Sequence, residues 1–234
     1  MLSLDKVTKI YHGEGNEVVA VRDVDLDVQS KDFVLIAGRS GSGKTTLLSL
    51  IGGLTRPTSG RVVLDGTDMW TLDDGRLSAM RNRRVGFMFQ FPSLITTLNV
   101  ENNLKLAASF HDVDYDINGR VKELISLVGL SDKARVHPNQ LSGGQQRRVA
   151  IARALMNGPD LILADEPTGD LDEETEKEIM QILKRTNDEG AAVVLISHSP
   201  DLVKFAKRRF LMSNGALIEK KDSSRDGYEL RHRE

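Results

Sequence analysis

Apolar positions along this chain first fall into strand-like runs, then into helical repeats, then into strand-like runs again. Leu2 to Ile10, Val18 to Val28 and Phe33 to Ala37 open the chain as three strand-like runs. The third is continuously apolar, as a strand buried on both faces should be. It runs straight into Gly38, and a helix pattern follows from Lys44 to Ile51, ended by Gly52 and Gly53. Arg61 to Leu64 reads as a further strand between glycines. The period then changes. Val121, Leu124, Ile125 and Val128 recur at i, i+3, i+4 and i+7, which predicts an amphipathic helix. Helical patterns also cover about Asn99 to Phe110 and Gly144 to Met156. Short apolar runs return at Leu161 to Ala164 and Ala192 to Ile196, with a helical stretch from Glu173 to Lys184 between them. Strand, helix, strand in that order implies a right-handed parallel crossover.

These patterns divide the chain. The helical patterns set 91–155 apart as an insertion within a single domain over 2–220, with 2–90 and 156–220 on either side of it. The stretch from Glu219 onward has mixed charge and few apolar residues, so it reads as loosely ordered, with 221–234 as a charged tail. At 234 residues the chain can bury a full core without covalent staples. The absence of cysteine excludes disulfides, thiolate zinc sites and cysteine nucleophiles. A formal net charge of -2 gives no global attraction to nucleic acid. The basic clusters Arg81 to Arg84 and Lys204 to Arg209 read as solvated faces. No run approaches the roughly 20 apolar residues a membrane span needs, and Met1 to Lys6 carries charges where a signal peptide is apolar. Membrane work, if any, would go through a partner.

The chemistry starts at Gly38-Arg-Ser-Gly-Ser-Gly-Lys-Thr45, which matches the phosphate-loop pattern G-x-x-x-x-G-K-[ST]. Glycines let the backbone wrap a phosphate and aim its N–H groups inward. The helix that follows adds its positive end. Gly38, Arg39, Ser40, Gly41, Ser42, Gly43, Lys44, Thr45 and Thr46 are therefore candidate nucleotide contacts. Lys44 would neutralise the β- and γ-phosphates, and Thr45 would ligate Mg²⁺ through its hydroxyl. Leu161-Ile-Leu-Ala-Asp165-Glu166 places two acids at the carboxyl end of an apolar strand, where ligands of parallel sheets bind. Asp165 suits a Mg²⁺-holding acid, and Glu166 suits a base that orients water.

Leu141-Ser-Gly-Gly-Gln145 adds a second helix start with Ser142 near its N-cap. This run resembles the signature motif of the ABC ATPases. The resemblance covers about residues 2 to 220, with the motifs in the family's order. It implies a P-loop α/β core with an antiparallel β subdomain and a helical subdomain, hydrolysing ATP with Mg²⁺. It implies that Gln90 is the Q-loop glutamine, reaching metal and water, and that His198 is a switch histidine. Asp172 belongs to a D-loop at Gly169-Asp-Leu-Asp172, and Tyr11 stacks on adenine. It also implies that two copies pack head to tail, so that Ser142, Gly143, Gly144 and Gln145 of one copy complete the other's site, and that an integral membrane permease is the further partner. Such a chain sits on the cytoplasmic face of the membrane.

Glu166-Pro-Thr-Gly-Asp-Leu-Asp172 has Gly169 where many importers carry serine, and Leu77 to Phe91 is also suggestive. Both resemble the lipoprotein-release and macrolide-efflux group, which also includes a cell-division ATPase that signals across the membrane without transport. Phe91-Pro92 departs from that group's usual pair, in the segment that would face the membrane partner. The same segment, Phe91 to Leu94, and the helical subdomain are where that partner would dock. The long heptad insertion of chromosome ATPases is absent, as are the second P-loop of tandem translation factors and an Asn-Lys-x-Asp guanine reader.

Overall fold

The computed structural model describes residues 1–13, 16–110, 113–169 and 171–220. β1 (Leu2–His12) and β2 (Glu17–Val28) form an antiparallel pair. β3 (Phe33–Ala37) leads into α1 (Lys44–Ile51), and β4 (Ser59–Leu64) and β5 (Thr67–Asp68) follow. Next come α2 (Asp74–Arg84) and β6 (Val85–Met88), then three helices: α3 (Val100–Ala108), α4 (Ile117–Leu127) and α5 (Gly143–Ala154). The chain closes with β7 (Leu161–Asp165), α6 (Glu173–Glu189), β8 (Ala192–Ile196), β9 (Arg208–Ser213) and β10 (Ala216–Lys220).

Two sheets result. The antiparallel sheet has the order β2-β1-β4-β5, and the larger sheet has the order β10-β9-β3-β8-β7-β6. From β9 to β6 the larger sheet is parallel, and only the edge strand β10 runs antiparallel. Its central strands explain their own composition. Val34 and Ile36 of β3 face one core with α1 and the antiparallel sheet, whereas Phe33 and Leu35 face the other core with α3 to α6. β7 splits the same way, Leu161 and Leu163 against Ile162 and Ala164. A strand with cores on both faces cannot alternate polar and apolar residues.

α6 shows the opposite case. Ile179, Met180, Ile182 and Leu183 are buried at helical spacing, and Glu173, Glu174 and Glu176 occupy the first turn, where the helix dipole favours acids. Asp172 caps that turn, its side chain accepting from the Thr175 N–H at 2.9 Å. The helices of residues 91–155 are not walled off from the sheet. Val100, Leu104, Val121, Leu124, Val149 and Ile151 belong to the same apolar cluster as Phe33 and Leu35.

Three expectations need adjusting. α2 was not anticipated, because Leu77 is its one buried residue and its polar surface leaves no apolar stripe to read. β9 and β10 were not anticipated either. Glu219 and Lys220, expected to be loosely ordered, are the last residues of β10, paired with Phe210 and Arg209. Main-chain pairing to a neighbouring strand orders them regardless of side-chain polarity. The remainder of the charged tail lies outside the described residues.

The antiparallel sheet also touches the loop between β3 and α1. Gly43 has φ of 104°, and a Cβ there would lie 2.0 Å from the Ala20 carbonyl oxygen of β2 and 2.9 Å from Met212 Cε. Both the left-handed backbone and the close approach require glycine. Gly43→Ala is expected to lower the unfolding midpoint by roughly 3–10 °C, the scale of 1–3 kcal/mol of strain in a chain of this size. Thermal unfolding followed by circular dichroism checks this; an unchanged midpoint would show that the loop relaxes away from β2 freely.

Candidate functional site

In the parallel sheet the neighbours β3, β8, β7 and β6 stand side by side. The residues that leave their carboxyl ends are, in the same order, the loop Gly38 to Gly43, then Ser197 and His198, then Glu166, then Phe89 and Gln90. Four loops scattered through the sequence therefore emerge along one rim, the place where open parallel sheets bind ligands.

The loop after β3 curls around the amino end of α1. Lys44 Nζ donates to the carbonyl oxygens of Gly38 (2.7 Å) and Arg39 (3.0 Å), so the ammonium is held over its own loop. Burial pulls the Lys44 ammonium below the ordinary lysine value, while Glu166 and Asp165 oppose that shift. The loop itself closes through Ser42 N–H donating to the Arg39 carbonyl at 3.2 Å. Ser42 Oγ is buried without a hydrogen-bond partner among the described residues. Arg39, Ser40 and Gly41 are exposed, and Thr46 is half-buried beside the exposed Thr45.

Thr45 Oγ1 donates to Asp165 Oδ2 at 2.8 Å. This joins the first turn of α1 to the end of β7. Two hard oxygen donors at the edge of a phosphate-type loop suit Mg²⁺, which takes few protein oxygens and completes its shell with substrate phosphates and water. The unpartnered Ser42 Oγ and the free N–H groups of the α1 amino end suit a phosphate.

Glu166 adopts φ of 45°, in the left-handed region, immediately after β7. Its N–H donates to the Ile196 carbonyl of β8 at 3.0 Å. Its carboxylate meets the loop after β8. The His198 N–H donates to Oε2 at 3.4 Å, and His198 Nε2 stands 3.1 Å from Oε1. That second approach lacks hydrogen-bond alignment, so Oε1 stays a buried acceptor without a bond. Burial pushes the Glu166 carboxyl above the ordinary glutamate value; Asp165 pushes the same way, and His198 and Lys44 oppose. A carboxylate with a raised pKa and an oxygen left without a hydrogen bond is suited to accept a proton.

Ser142 caps α5 in a reciprocal box: its Oγ accepts from Gln145 N–H at 3.2 Å, and its N–H donates to Gln145 Oε1 at 3.1 Å. Gly143 lies in open space, and a Cβ on Gly144 would meet Thr175 Cγ2 at 3.0 Å. The amino ends of α5 and α6 thus adjoin. Asp172, expected at the nucleotide, accepts from both the N–H and the hydroxyl of Thr175, and these bonds hold its carboxyl below the ordinary value. Tyr11 is 43% exposed near the end of β1, with Lys9 Nζ 5.1 Å from its ring centre. Gln90 is exposed just past β6.

The family model described as ABC transporter matches residues 21–169. The chain belongs to the ABC transporter family. An ABC transporter ATP-binding protein of Thermotoga maritima is 44% identical over 87% of this chain and 87% of its own length. YknY, an ABC transporter ATP-binding protein of Bacillus subtilis, is 40% identical over 93% and 95%. The macrolide export ATP-binding/permease protein MacB of Aggregatibacter actinomycetemcomitans is 41% identical over 89% of this chain, which spans only 33% of that protein. Among solved structures, the dimeric ABC cassette MJ0796 in a post-hydrolysis state bound to ADP and Pi is 39% identical. Its TM-score is 0.89, with 96% of this chain and 100% of that one covered. As an ABC cassette the chain is an ATPase subunit of a transporter, using ATP with Mg²⁺. Among the described residues, no helix is long and apolar enough to cross a membrane.

Two residues of this ABC cassette escaped the sequence reading. Arg147 of α5 donates through its two terminal nitrogens to the carbonyls of Glu166 (2.7 Å) and Gly169 (3.0 Å). Arg153, at the other end of α5, donates to the carbonyls of Ser93 (2.8 Å) and Pro92 (3.0 Å), and burial pulls its guanidinium below the ordinary value. Both grip main-chain oxygens, which no residue pattern announces.

Proposed function

We propose that this chain drives a membrane permease of the lipoprotein-release or macrolide-efflux type, through ATP hydrolysis at Lys44, Thr45, Asp165 and Glu166. The observation that carries the chemistry is the convergence of four strand ends on one rim, with Thr45 and Asp165 in contact and Glu166 beside His198. Lys44 binds the β- and γ-phosphates, and the backbone N–H groups of Gly41 to Thr46 cradle them. Thr45, Asp165 and Gln90 hold Mg²⁺, which when bound offsets charge on the phosphoryl oxygens. Glu166 orients a water and takes its proton as the water oxygen bonds to the γ-phosphorus. The bond from that phosphorus to the β,γ-bridging oxygen breaks, and ADP leaves with the electron pair. His198 holds the carboxylate and contacts the transferring group. Tyr11 stacks on adenine.

A second copy, packed head to tail, supplies Ser142, Gly143, Gly144, Gln145 and Asp172 to the opposite nucleotide. The match to dimeric cassettes and the adjoining amino ends of α5 and α6 support this arrangement.

The permease reading draws on a groove of about 700 Å³ beside Gln90. Leu54, Phe87, Phe89, Leu106 and Phe110 line it, with the Phe87 and Phe89 rings stacked 5.4 Å apart. Phe110 is 66% exposed and Phe91 73%. Apolar side chains left open in this way mark a site for a partner's helix. The efflux-type assignment rests on Gly169 and on the likeness to MacB. The membrane partner places the chain on the cytoplasmic face. Copurification from native membranes tests the proposal. An integral membrane permease should accompany the wild-type chain and be lost from Phe110→Asp, whose ATP affinity stays within twofold of wild type. Retention of the same permease by the variant would remove the groove from the interface, and a permease of importer type would overturn the efflux reading.

A further inference from the structure

We propose that Arg147 is a positioning residue for hydrolysis: its guanidinium fork fixes the main chain that carries Glu166. This rests on the role proposed above for Glu166, and it concerns a different helix from any that bears the nucleotide loop.

Glu166 occupies a left-handed conformation that a glutamate does not adopt freely, with φ of 45°. Something outside the residue must hold it there. On one side, its N–H is tied to the Ile196 carbonyl of β8 at 3.0 Å. On the other, its carbonyl accepts from the Gly169 N–H at 3.2 Å and from Arg147 at 2.7 Å. The second arm of Arg147 takes the Gly169 carbonyl at 3.0 Å. The planar fork therefore spans both ends of the turn from Glu166 to Gly169. Both peptide groups flanking Glu166 are pinned, and with them the direction of its Cα–Cβ bond. That direction decides where the carboxylate stands relative to His198 and to the loop at Lys44.

The fork is anchored on rigid ground. Arg147 sits in the second turn of α5, whose Val149, Ile151 and Ala152 are buried in the same apolar cluster as Phe33 and Ile162 of the sheet. The same helix begins at Ser142. Its amino end and the hydrolytic carboxylate are thus braced by a single side chain, so a rigid-body shift of α5 would be felt at Glu166. A lysine could reach one carbonyl but not both, because only guanidinium presents donors in a fixed fork.

The effect of losing the fork falls on the reaction step. The bonds of Lys44 to its own loop and of Thr45 to Asp165 involve neither Arg147 nor the Glu166 and Gly169 carbonyls. A base displaced by about 1 Å loses on the order of 10²-fold in rate without loss of binding.

The test uses the full chain and compares Arg147→Ala, Arg147→Lys, Glu166→Gln and the double variant Arg147→Ala/Glu166→Gln. Steady-state ATPase assays give kcat and KM, and single-turnover assays with radiolabelled ATP follow the slow variants. Arg147→Ala should lower kcat roughly ten- to a hundredfold with KM within twofold. Arg147→Lys should recover part of that loss. The double variant should be no slower than Glu166→Gln alone, because a carboxamide gains nothing from being well placed. Wild-type kcat in Arg147→Ala would overturn the proposal, as would a KM that rises in step with the loss of kcat. A double variant slowed by the full Arg147→Ala factor would also overturn it, showing that Arg147 acts apart from Glu166. If the alanine variant does not fold, the lysine variant decides: a several-fold loss of kcat supports the fork, and wild-type kcat refutes it. Glu166→Gln with undiminished turnover would instead remove the role of Glu166 itself, a result distinct from any failure of Arg147.

Discussion

Glu166→Gln should slow ATP hydrolysis by roughly 10²–10⁴-fold, the contribution of a positioned base, and should leave ATP bound. Gln keeps the size of the side chain and its contact with His198, but it cannot take a proton from water. The groups proposed to hold ATP, Lys44, Thr45 and Asp165, are untouched. Unhydrolysed ATP held between the Gly38 loop of one copy and the Ser142 helix start of another would then join two chains. Removing one acid from a site already containing Asp165 also weakens repulsion toward the phosphates. Light scattering after gel filtration should therefore show a dimer in ATP and a monomer in ADP. A variant that binds ATP yet stays monomeric, with or without Mg²⁺ and with Na⁺, would refute the shared site and leave the ATPase assignment standing. The wild-type chain should carry a further mark of the same residue. Because burial raises the Glu166 carboxyl, the base is lost on protonation at a higher pH than an ordinary glutamate would be. The acid limb of kcat/KM, which reports the free enzyme, should lie above the usual glutamate range and should vanish in Glu166→Gln.

Lys44→Ala should weaken ATP binding by roughly 10- to 100-fold, the scale of a charge-assisted contact worth about 1.5–3 kcal/mol. Two losses combine in it. The ammonium no longer meets the phosphates, and the loop loses the two bonds from Nζ to the Gly38 and Arg39 carbonyls that shape it. Lys44→Met separates them in part, since it keeps the buried stem and removes the charge and its donors. Calorimetric titration with ATP, alongside the ATPase rate, checks both variants. Near-normal affinity and hydrolysis in Lys44→Ala would reject the assignment of Gly38 to Thr45 as the phosphate loop.

What the chain shows on its own and what it hides divides along a physical line. Features that depend on consecutive residues were legible. Phe33–Ala37, Lys44–Ile51 and Ala192–Ile196 lie at the bounds that the apolar pattern predicts, because burial on both faces and helical spacing write themselves directly into residue type. The loop from Gly38 to Gly43, the acids Asp165 and Glu166 at the end of β7 and the Ser142 cap were equally visible, since each is a strand end or helix start with its own short-range chemistry. α2 was invisible because a helix held by one buried leucine leaves no stripe, and β10 was invisible at its charged end because its order comes from a neighbour's backbone.

The site needed the fold. Thr45 and Asp165 are separated by 120 positions and meet only because β3, β8 and β7 are neighbours in a sheet whose order differs from chain order. Asp172 reads as a nucleotide contact by its motif, and in the structure it caps α6 through Thr175. Arg147 and Arg153 carry no motif in the sequence reading because their partners are carbonyl oxygens, identical at every residue. The sequence by itself determined which side chains could bind phosphate, hold a metal ion or accept a proton, because those capacities belong to residue types. Only the tertiary structure decided which of them share one rim and what braces them, because that depends on strand order and on main-chain acceptors that the side-chain alphabet does not record.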